Sequence, residues 1–439
     1  MKKTITLKSS KSKPLNGTVT VPSDKSISIR SLIISSTCLG NTRVFKLLES
    51  DDVMNTLKVL KNLKIKIIKK NDYYEIFGQG GVFSDPQKIL HFGNSGTGVR
   101  LMAGLLSTSE INATLTGDKS LSSRPMKRII DPLQEMNVSI THNEGLLPIR
   151  IFNHKNRYVP INHTLNVGSA QVKSCILLAA LNTKGTTKIV EKIPSRDHTE
   201  IMLKFLGANL IKEKNVIKLT SPNFLKPKEL RIPGDFSSAA FVIIAVLLSK
   251  KSKVTLKDVG LNYYRIGLLD VLKKMNANIT LKNKRKFNGE IVGDIEVESS
   301  NLVATVVNKN IVPRLIDEYP ILFVAASFAS GTSEFYGLKE LKVKESNRLS
   351  SMSNALSKNG VKLELGNDSI KIYGEETQEG GNHVETENDH RVAMSMLIFG
   401  FFSNKSIVID EMEMIKTSFP SFRELFQKLG AKIEYFQKF

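Results

Sequence analysis

Apolar positions along the chain fall into two alternating patterns. Short runs rich in β-branched residues, GTVTVP (17–22), KIKIIK (64–69), ATLTG (113–117), KIVEKI (188–193) and VTLKDV (254–259), predict strands. Between them lie segments of helical length with apolar periodicity: SIRSLIISSTCLG, DVMNTLKVLKNL, GVRLMAGLLS, KRIIDPLQEMN, AQVKSCILLAAL and HTEIMLKFLGA. The second half repeats the alternation with SSAAFVIIAVLL, GLLDVLKKMN, EYPILFVAASFA, NRLSSMSNALSKNG, HRVAMSMLIFGFF and PSFRELFQKLGA. The most apolar stretches, 237–249 and 319–331, fall short of the roughly 18 residues that suggest a membrane span, and they predict buried helices instead.

One phrase recurs six times: a helix closing on a Gly or Asn cluster, followed at once by a strand. The copies are LKVLKNLKIKII, LQEMNVSI, LKFLGANLIKE, LKKMNANITL, LSKNGVKLEL and LFQKLGAKIEYF. Gly and Asn suit the left-handed conformation that ends such helices. Six copies imply an internally repeated α/β fold, and three per half would make two similar domains. No Pro/Ser-rich linker marks a boundary between them.

Composition narrows the class. A chain of 439 residues exceeds one ordinary core, and 41% hydrophobic with 24% charged residues is a globular balance rather than a disordered one. The formal net charge is +21, yet only 15 of the 63 basic residues are Arg, the Lys are scattered, and there is no Trp. A nucleic-acid reader would cluster Arg and stacking aromatics. The charge therefore reads either as a lysine-rich background or as a field that concentrates anionic substrates; composition does not separate the two. The basic start MKKTITLKSSKSKP lacks the apolar core of a signal peptide. Cys38 and Cys175 each sit in an apolar stretch, which predicts two buried free thiols and a cytoplasmic protein without disulfides or membrane segments.

Short polar motifs punctuate the starts of the predicted helices. HFGNSGTGVR (91–100) offers Asn94, Gly96 and Arg100, but neither the GKS/GKT of a P-loop nor G-x-G-x-x-G. PSDKSISIR supplies Lys25, Ser26 and Arg30; SSRPMKR supplies Arg124, expected in an extended segment before Pro125. VGSAQVKS adds Ser169, Ala170 and Gln171, and PSRDHTE adds Ser195 and Arg196. In the second half come Asp317 and Glu318 of LIDEYP, Lys344, Glu345 and Arg348 of KVKESNR, Asp389, His390 and Arg391 of NDHR, and Lys416 of IKTSFP. Any one of these is explained by ordinary helix capping. Together they form an inventory of cations beside small residues, with two carboxylates, suited to holding two anions and moving protons between them. No His/Cys spacing predicts a metal, no G-x-S-x-G a serine hydrolase, and neither cysteine an activated nucleophile.

In order and spacing, PSDKSISIR, GNSGTGVR, LSSRPMKR, SAQVKSCILLAAL, SRDHTE, PGDFSSAAF, DEYPILFVAA, KVKESNR, DHRVAMS and KTSFP resemble the 5-enolpyruvylshikimate-3-phosphate synthase family, over roughly Lys8 to Ile433. SAQVKS and LSSRPMKR are closest to the branch found in many Gram-positive and some proteobacterial enzymes. The resemblance implies a two-lobed inside-out α/β barrel, each lobe of three βαβαββ units, with lobes at 1–21 plus 237–439 and at 22–236. The crossings would fall at VPSDK and PGDFSS, and substrates binding between the lobes would draw them together. It further implies that phosphoenolpyruvate and shikimate 3-phosphate react with release of phosphate, with no cofactor, in a monomeric enzyme.

By the same resemblance, Asp317 would take the proton of the 5-hydroxyl, and Glu345 would protonate the methylene carbon with Lys344 assisting. Lys25, Ser26, Arg30, Ser169, Ala170, Gln171, Ser195, Arg196, Asp317 and Lys344 would surround shikimate 3-phosphate. Lys25, Asn94, Gly96, Arg124, Gln171, Arg348, His390, Arg391 and Lys416 would surround phosphoenolpyruvate. Three departures stand out. Ile29 replaces the family's His or Asn, Ala170 replaces one of two serines, and Asn347 replaces an Asp whose absence would loosen Arg348. Gly96 is alanine in members that tolerate glyphosate, so sensitivity is expected. Two other readings compete. A UDP-N-acetylglucosamine enolpyruvyl transferase would carry Lys-Asn where this chain has Lys25-Ser26, and a loop cysteine absent from 113–124. A basic nucleic-acid-binding repeat protein would account for the charge.

Overall fold

A computed structural model describes residues 5–153, 158–222 and 224–437. The chain forms two compact units. The first comprises Met1–Pro22, Gly234–Arg285 and Ile291–Phe439, and the second Ser23–Pro233 with Lys286–Glu290.

Each unit contains three four-stranded sheets built to one plan. In the second unit, for example, Leu90–His91 pairs in parallel with Ala113–Thr116, which runs antiparallel to Leu146–Phe152, itself antiparallel to Ser139–Asn143. The sheets around Gly185–Glu191 and Gly331–Tyr336 repeat that order. The parallel partner is always short, and two residues such as Leu90–His91 or His383–Val384 are too few to show a period of two in the sequence.

Three helices in each unit are buried on nearly every side. In the second unit they are Lys25–Ser35, Gly96–Ser107 and Ala170–Ala180, and in the first Phe236–Leu248, Tyr319–Ser327 and His390–Phe399. Their sequences are mostly apolar on every side, as a helix with no wet face must be, and the charged residues they do carry, such as Arg30 and Lys173, are buried with partners. The two stretches too short for a membrane span are among them, and among the described residues no helix is long and apolar enough to cross one. Close packing demands small residues: a side chain at Gly104 would overlap the Cys175 carbonyl, so Gly96–Ser107 can approach Ala170–Ala180 only with hydrogen at that position. The remaining long helices are one-sided. Asp51–Asn62 buries Val53, Leu57, Val59 and Leu60 and leaves Lys58 and Lys61 in water. Helix SIRSLIISSTCLG starts earlier than its apolar pattern, at Lys25, because Asp24 caps it, and it ends at Ser35 before the strand Leu39–Phe45.

All six repeated phrases turn on one left-handed residue: Lys64 (φ 66°), Asn137 (65°), Gly207 (97°), Asn276 (66°), Gly360 (97°) and Gly430 (109°). Five are the Gly or Asn that the sequence pattern predicts, and Lys64 is the exception. A residue with a Cβ costs about 1–2 kcal/mol in that region. Lys64→Gly is therefore expected to stabilise the protein by about 0.5–1 kcal/mol, part of the gain being offset by unfolded-chain entropy. Thermal unfolding of the two proteins side by side checks this; an unchanged or lowered midpoint would contradict it.

Both cysteines are free and buried, as their apolar settings predict. Burial pushes the Cys38 thiol up to about 11 despite an opposing hydrogen bond with Thr42, and it pushes Cys175 upward as well.

Candidate active site

The buried helices begin at the polar motifs, so their free N–H groups and positive dipole ends lie among the candidate cations. In the second unit Asp24 accepts from the Ile27 N–H at 2.8 Å and caps Lys25–Ser35. Lys25 Nζ then meets Asp52 Oδ2 at 2.9 Å, and Asp52 lies in the first turn of its own helix. Arg30 is buried and braces three segments. Its Nε donates to Thr199 Oγ1 at 2.8 Å, Nη2 to Ser174 Oγ at 3.1 Å and Nη1 to the Ser26 carbonyl at 3.0 Å. Ile29 beside it is fully buried in the apolar core, which explains an aliphatic residue there.

The glycine-rich loop is held by its own turn, in which the Ser95 N–H donates to the Phe92 carbonyl at 3.0 Å, and by side chains. Ser95 caps Gly96–Ser107 by accepting from the Gly98 N–H at 3.2 Å. Asn94 donates to Asp118 Oδ2 at 3.0 Å and accepts from Arg124 Nη2. Arg124, expected in an extended segment, stands at a bend just past the single helical turn Lys119–Ser122, and it also donates to Ser120 Oγ at 3.2 Å. Arg100 Nη1 donates to Gln171 Oε1 at 2.6 Å, and Gln171 Nε2 to Thr97 Oγ1 at 3.0 Å, so the Gln171 amide is fixed from both ends. A Cβ at Gly96 would sit 3.2 Å from both Arg100 Nη1 and Arg124 Nη1. The absent side chain thus leaves room first for two guanidinium groups. Ser169 caps Ala170–Ala180, accepting from Val172 N at 3.4 Å, and places Ala170 and Gln171 in its first turn. Ser195 is buried and Arg196 half-buried at the approach to His198–Phe205.

In the first unit one arginine gathers the carboxylates. Arg348 opens the helix Arg348–Lys358, with 1% of its side chain exposed. Its Nε meets Asp389 Oδ2 at 2.8 Å, Nη2 meets Glu345 Oε2 at 2.5 Å, and Nη1 meets Asp317 Oδ1 at 3.4 Å. Burial works against the charge, but Asp389, Glu345 and Asp317 outweigh it and raise the Arg348 pKa. Lys344 Nζ lies 4.0 Å from the same Asp317 oxygen. Asp389 accepts from the Arg391 N–H at 2.9 Å as the cap of His390–Phe399 and from Ser346 Oγ at 3.2 Å, and Arg391 Nη1 donates to the Asp317 carbonyl at 2.9 Å. His390 is buried in that first turn. Asn347 caps the helix through the Ser350 N–H, while three carboxylates hold the Arg348 guanidinium. Lys416 is exposed in Glu413–Thr417, a turn that packs against His390–Phe399, and it pairs with Glu413 at 2.8 Å.

Residues 9–426 match the family model described as EPSP synthase (3-phosphoshikimate 1-carboxyvinyltransferase). The chain belongs to the EPSP synthase family. It is 47% identical to a 3-phosphoshikimate 1-carboxyvinyltransferase of Bartonella henselae, over 99% of this chain and 100% of that protein. A protein of the same description from Parvibaculum lavamentivorans is 42% identical over 95% of this chain and 94% of its own length. Among solved structures, an EPSP synthase from Acinetobacter baumannii superposes with a TM-score of 0.88 at 36% identity, covering 99% of this chain and 100% of that one. The two-lobed α/β architecture of the EPSP synthases is therefore the fold of this chain, and neither the UDP-N-acetylglucosamine enzyme nor a nucleic-acid-binding protein is favoured.

For an EPSP synthase, the informative additions are residues that the motifs did not single out as site residues. Asp52 neutralises Lys25, Asp118 orients Asn94, Thr97 fixes Gln171, and Asp389 carries Arg348. Asp389 stood inside the NDHR motif and could have been found there as a helix cap. Asp52 had only its place at a predicted helix start, and Asp118 only its place just after the predicted strand ATLTG. Among the described residues, no group of three or more His, Cys, Asp or Glu is placed to hold a metal ion.

Proposed function

We propose that this chain transfers the enolpyruvyl group of phosphoenolpyruvate to the 5-hydroxyl of shikimate 3-phosphate and releases inorganic phosphate, a step of aromatic amino acid biosynthesis. Addition to C2 forms a tetrahedral intermediate, and elimination of phosphate restores the enol. The observation that carries the reading is the cluster in which Arg348 binds Asp317, Glu345 and Asp389. Acid–base chemistry on a neutral hydroxyl and an enol carbon needs two carboxylates whose charge is set by fixed cations.

Asp317 is the base. Its Oδ1 lies 4.0 Å from Lys344 Nζ and 3.4 Å from Arg348 Nη1, two cations that face the carboxylate where the hydroxyl proton would be taken. Glu345 exchanges the proton at the methylene carbon. Its Oε2 is held by Arg348 Nη2 at 2.5 Å, and the proton it gives to the methylene carbon is recovered when phosphate departs. In the second unit Lys25, Ser26, Arg30, Ser169, Ala170, Gln171, Ser195 and Arg196 receive shikimate 3-phosphate; Asn94, Gly96 and Arg124, with Lys25 and Gln171, receive phosphoenolpyruvate. Arg348, His390, Arg391 and Lys416 of the first unit bind phosphoenolpyruvate. The free cysteines suit a reducing compartment, and we assign the enzyme to the cytoplasm as a monomer.

Phosphate release from phosphoenolpyruvate tests the reading, with shikimate 3-phosphate and UDP-N-acetylglucosamine as parallel acceptors. Release is expected with shikimate 3-phosphate alone; release with neither, from folded protein, would overturn the assignment. Gly96→Ala is expected to raise KM for phosphoenolpyruvate about tenfold, because a methyl 3.2 Å from two guanidinium tips displaces the donors whose planar geometry fixes the anion. It should also relieve the inhibition by glyphosate expected of the unsubstituted enzyme. An unaltered KM would contradict the first expectation, and full activity in millimolar glyphosate before substitution would contradict the second.

A further inference from the structure

Behind Ser195 the second unit seals a group of charges from solvent. Lys173 Nζ donates to Glu191 Oε2 at 3.0 Å and to the Ser195 carbonyl oxygen at 3.2 Å, and it lies 2.7 Å from Glu200 Oε1 as an ion pair. The side chains of Lys173, Glu191 and Glu200 are 0%, 1% and 3% exposed. Burying a lysine and two carboxylates is costly, and apolar residues of similar size would fill the space at lower cost. The arrangement is therefore weak as a source of stability, and what it holds becomes informative.

It holds Ser195. Glu191 Oε1 accepts from the Ser195 N–H at 3.0 Å and from its hydroxyl at 2.5 Å, while Lys173 takes the carbonyl of the same residue. All three polar groups of Ser195 thus end on one buried ion pair. The hydroxyl has one proton and directs it to Glu191, so any anion approaching from the other side meets lone pairs unless that bond is exchanged. The next residue is Arg196, whose direction is set by the peptide so anchored.

We infer that Glu191, backed by Lys173, is a positioning residue for the acceptor's phosphate: it fixes the Ser195–Arg196 segment and decides whether the Ser195 hydroxyl is free to donate. Neither residue touches substrate. The inference rests on the assignment of Ser195 and Arg196 to shikimate 3-phosphate.

Steady-state kinetics of Glu191→Gln, Glu191→Asp and Lys173→Arg, with both substrates varied, provide the test. Glutamine keeps the shape but gives Lys173 an uncharged partner, and aspartate withdraws the carboxylate by one methylene. Each is expected to raise KM for shikimate 3-phosphate about tenfold, the scale of losing a charge-assisted hydrogen bond, with kcat and KM for phosphoenolpyruvate within about twofold. Ser195→Ala should cost little more in the Glu191→Gln background than Glu191→Gln alone, since the two act through one contact. Equal damage to both KM values, full additivity of the double variant, or loss of the fold in all three variants would make the cluster structural and overturn the inference. An unsubstituted protein that fails to turn over shikimate 3-phosphate would instead condemn the assigned activity, and the two failures are told apart by that control.

Discussion

Replacing Asp317 with asparagine is expected to lower kcat by about 10²–10⁴-fold, the span that a positioned general base contributes, while the thermal midpoint barely moves. The asymmetry follows from how Asp317 is held. Its backbone carbonyl accepts from Arg391 Nη1, a bond the substitution leaves intact. Its carboxylate oxygen Oδ1 lies 3.4 Å from Arg348 Nη1 and 4.0 Å from Lys344 Nζ. An exchange of oxygen for NH₂ therefore removes little cohesion, because Arg348 keeps its closer partners Glu345 and Asp389. The substituted amide cannot take a proton at working pH, so the attacking hydroxyl loses its acceptor. KM for either substrate should change by no more than a few-fold, since uniform binding is hardly affected. Steady-state kinetics beside thermal unfolding separate the terms: a variant that keeps kcat would remove Asp317 from the chemistry, and one that loses kcat together with its fold would assign it a structural role.

The fold was legible because its repeat is local. A helix that must stop, reverse and feed a strand needs a left-handed residue, and Asn137, Gly207, Asn276, Gly360 and Gly430 advertise that need. Lys64 occupies the same position without advertising it, and only the context of LKVLKNLKIKII reveals it. The helices were equally plain, since Phe236–Leu248 or His390–Phe399 can be apolar on every side only when surrounded. The two-residue parallel edge strands escaped, because segments such as Leu230–Arg231 and Val306–Val307 are shorter than any period a sequence can display.

Motif residues of the candidate site could be read from their places at helix starts, whereas their supports could not. Lys25 finds Asp52 27 positions away, Arg100 finds Gln171 71 away, and Arg348 finds Asp389 41 away. Charge pairing over such distances depends on which helix ends a packed unit brings together, and no pattern of neighbouring residues records it. Lys173 is the sharpest instance. Within AQVKSCILLAAL it looks like the polar edge of an amphipathic helix, yet it is fully buried among carboxylates supplied by 191 and 200. Arg348 likewise meets Asp389 from 41 positions away, while its neighbour Asn347 is occupied as a helix cap.

Arg348→Met should damage rate and stability together, and more severely than any other single change considered. Methionine matches much of the volume, so a cavity is not the main penalty. The penalty is electrostatic, since Asp317, Glu345 and Asp389 would be left around a neutral side chain, with Asp389 fully buried. Removing one member of a buried ion pair typically costs about 3–5 kcal/mol, because the remaining charge stays desolvated and unanswered. Here three charges lose one partner, although Lys344 and Ser346 remain near Asp317 and Asp389. Arg348→Lys distinguishes charge from shape. A lysine restores one positive charge, but one ammonium cannot span three carboxylates with the planar fork that meets each of them at 2.5–3.4 Å. It should recover most of the lost stability and little of the activity, because Asp317 and Glu345 would no longer be held in their relative places. Thermal unfolding and phosphate release on both variants decide the matter. A lysine variant that recovers both quantities would mean the site needs only charge at 348, and a methionine variant as stable as the parent would mean the carboxylates are neutralised by something other than this arginine.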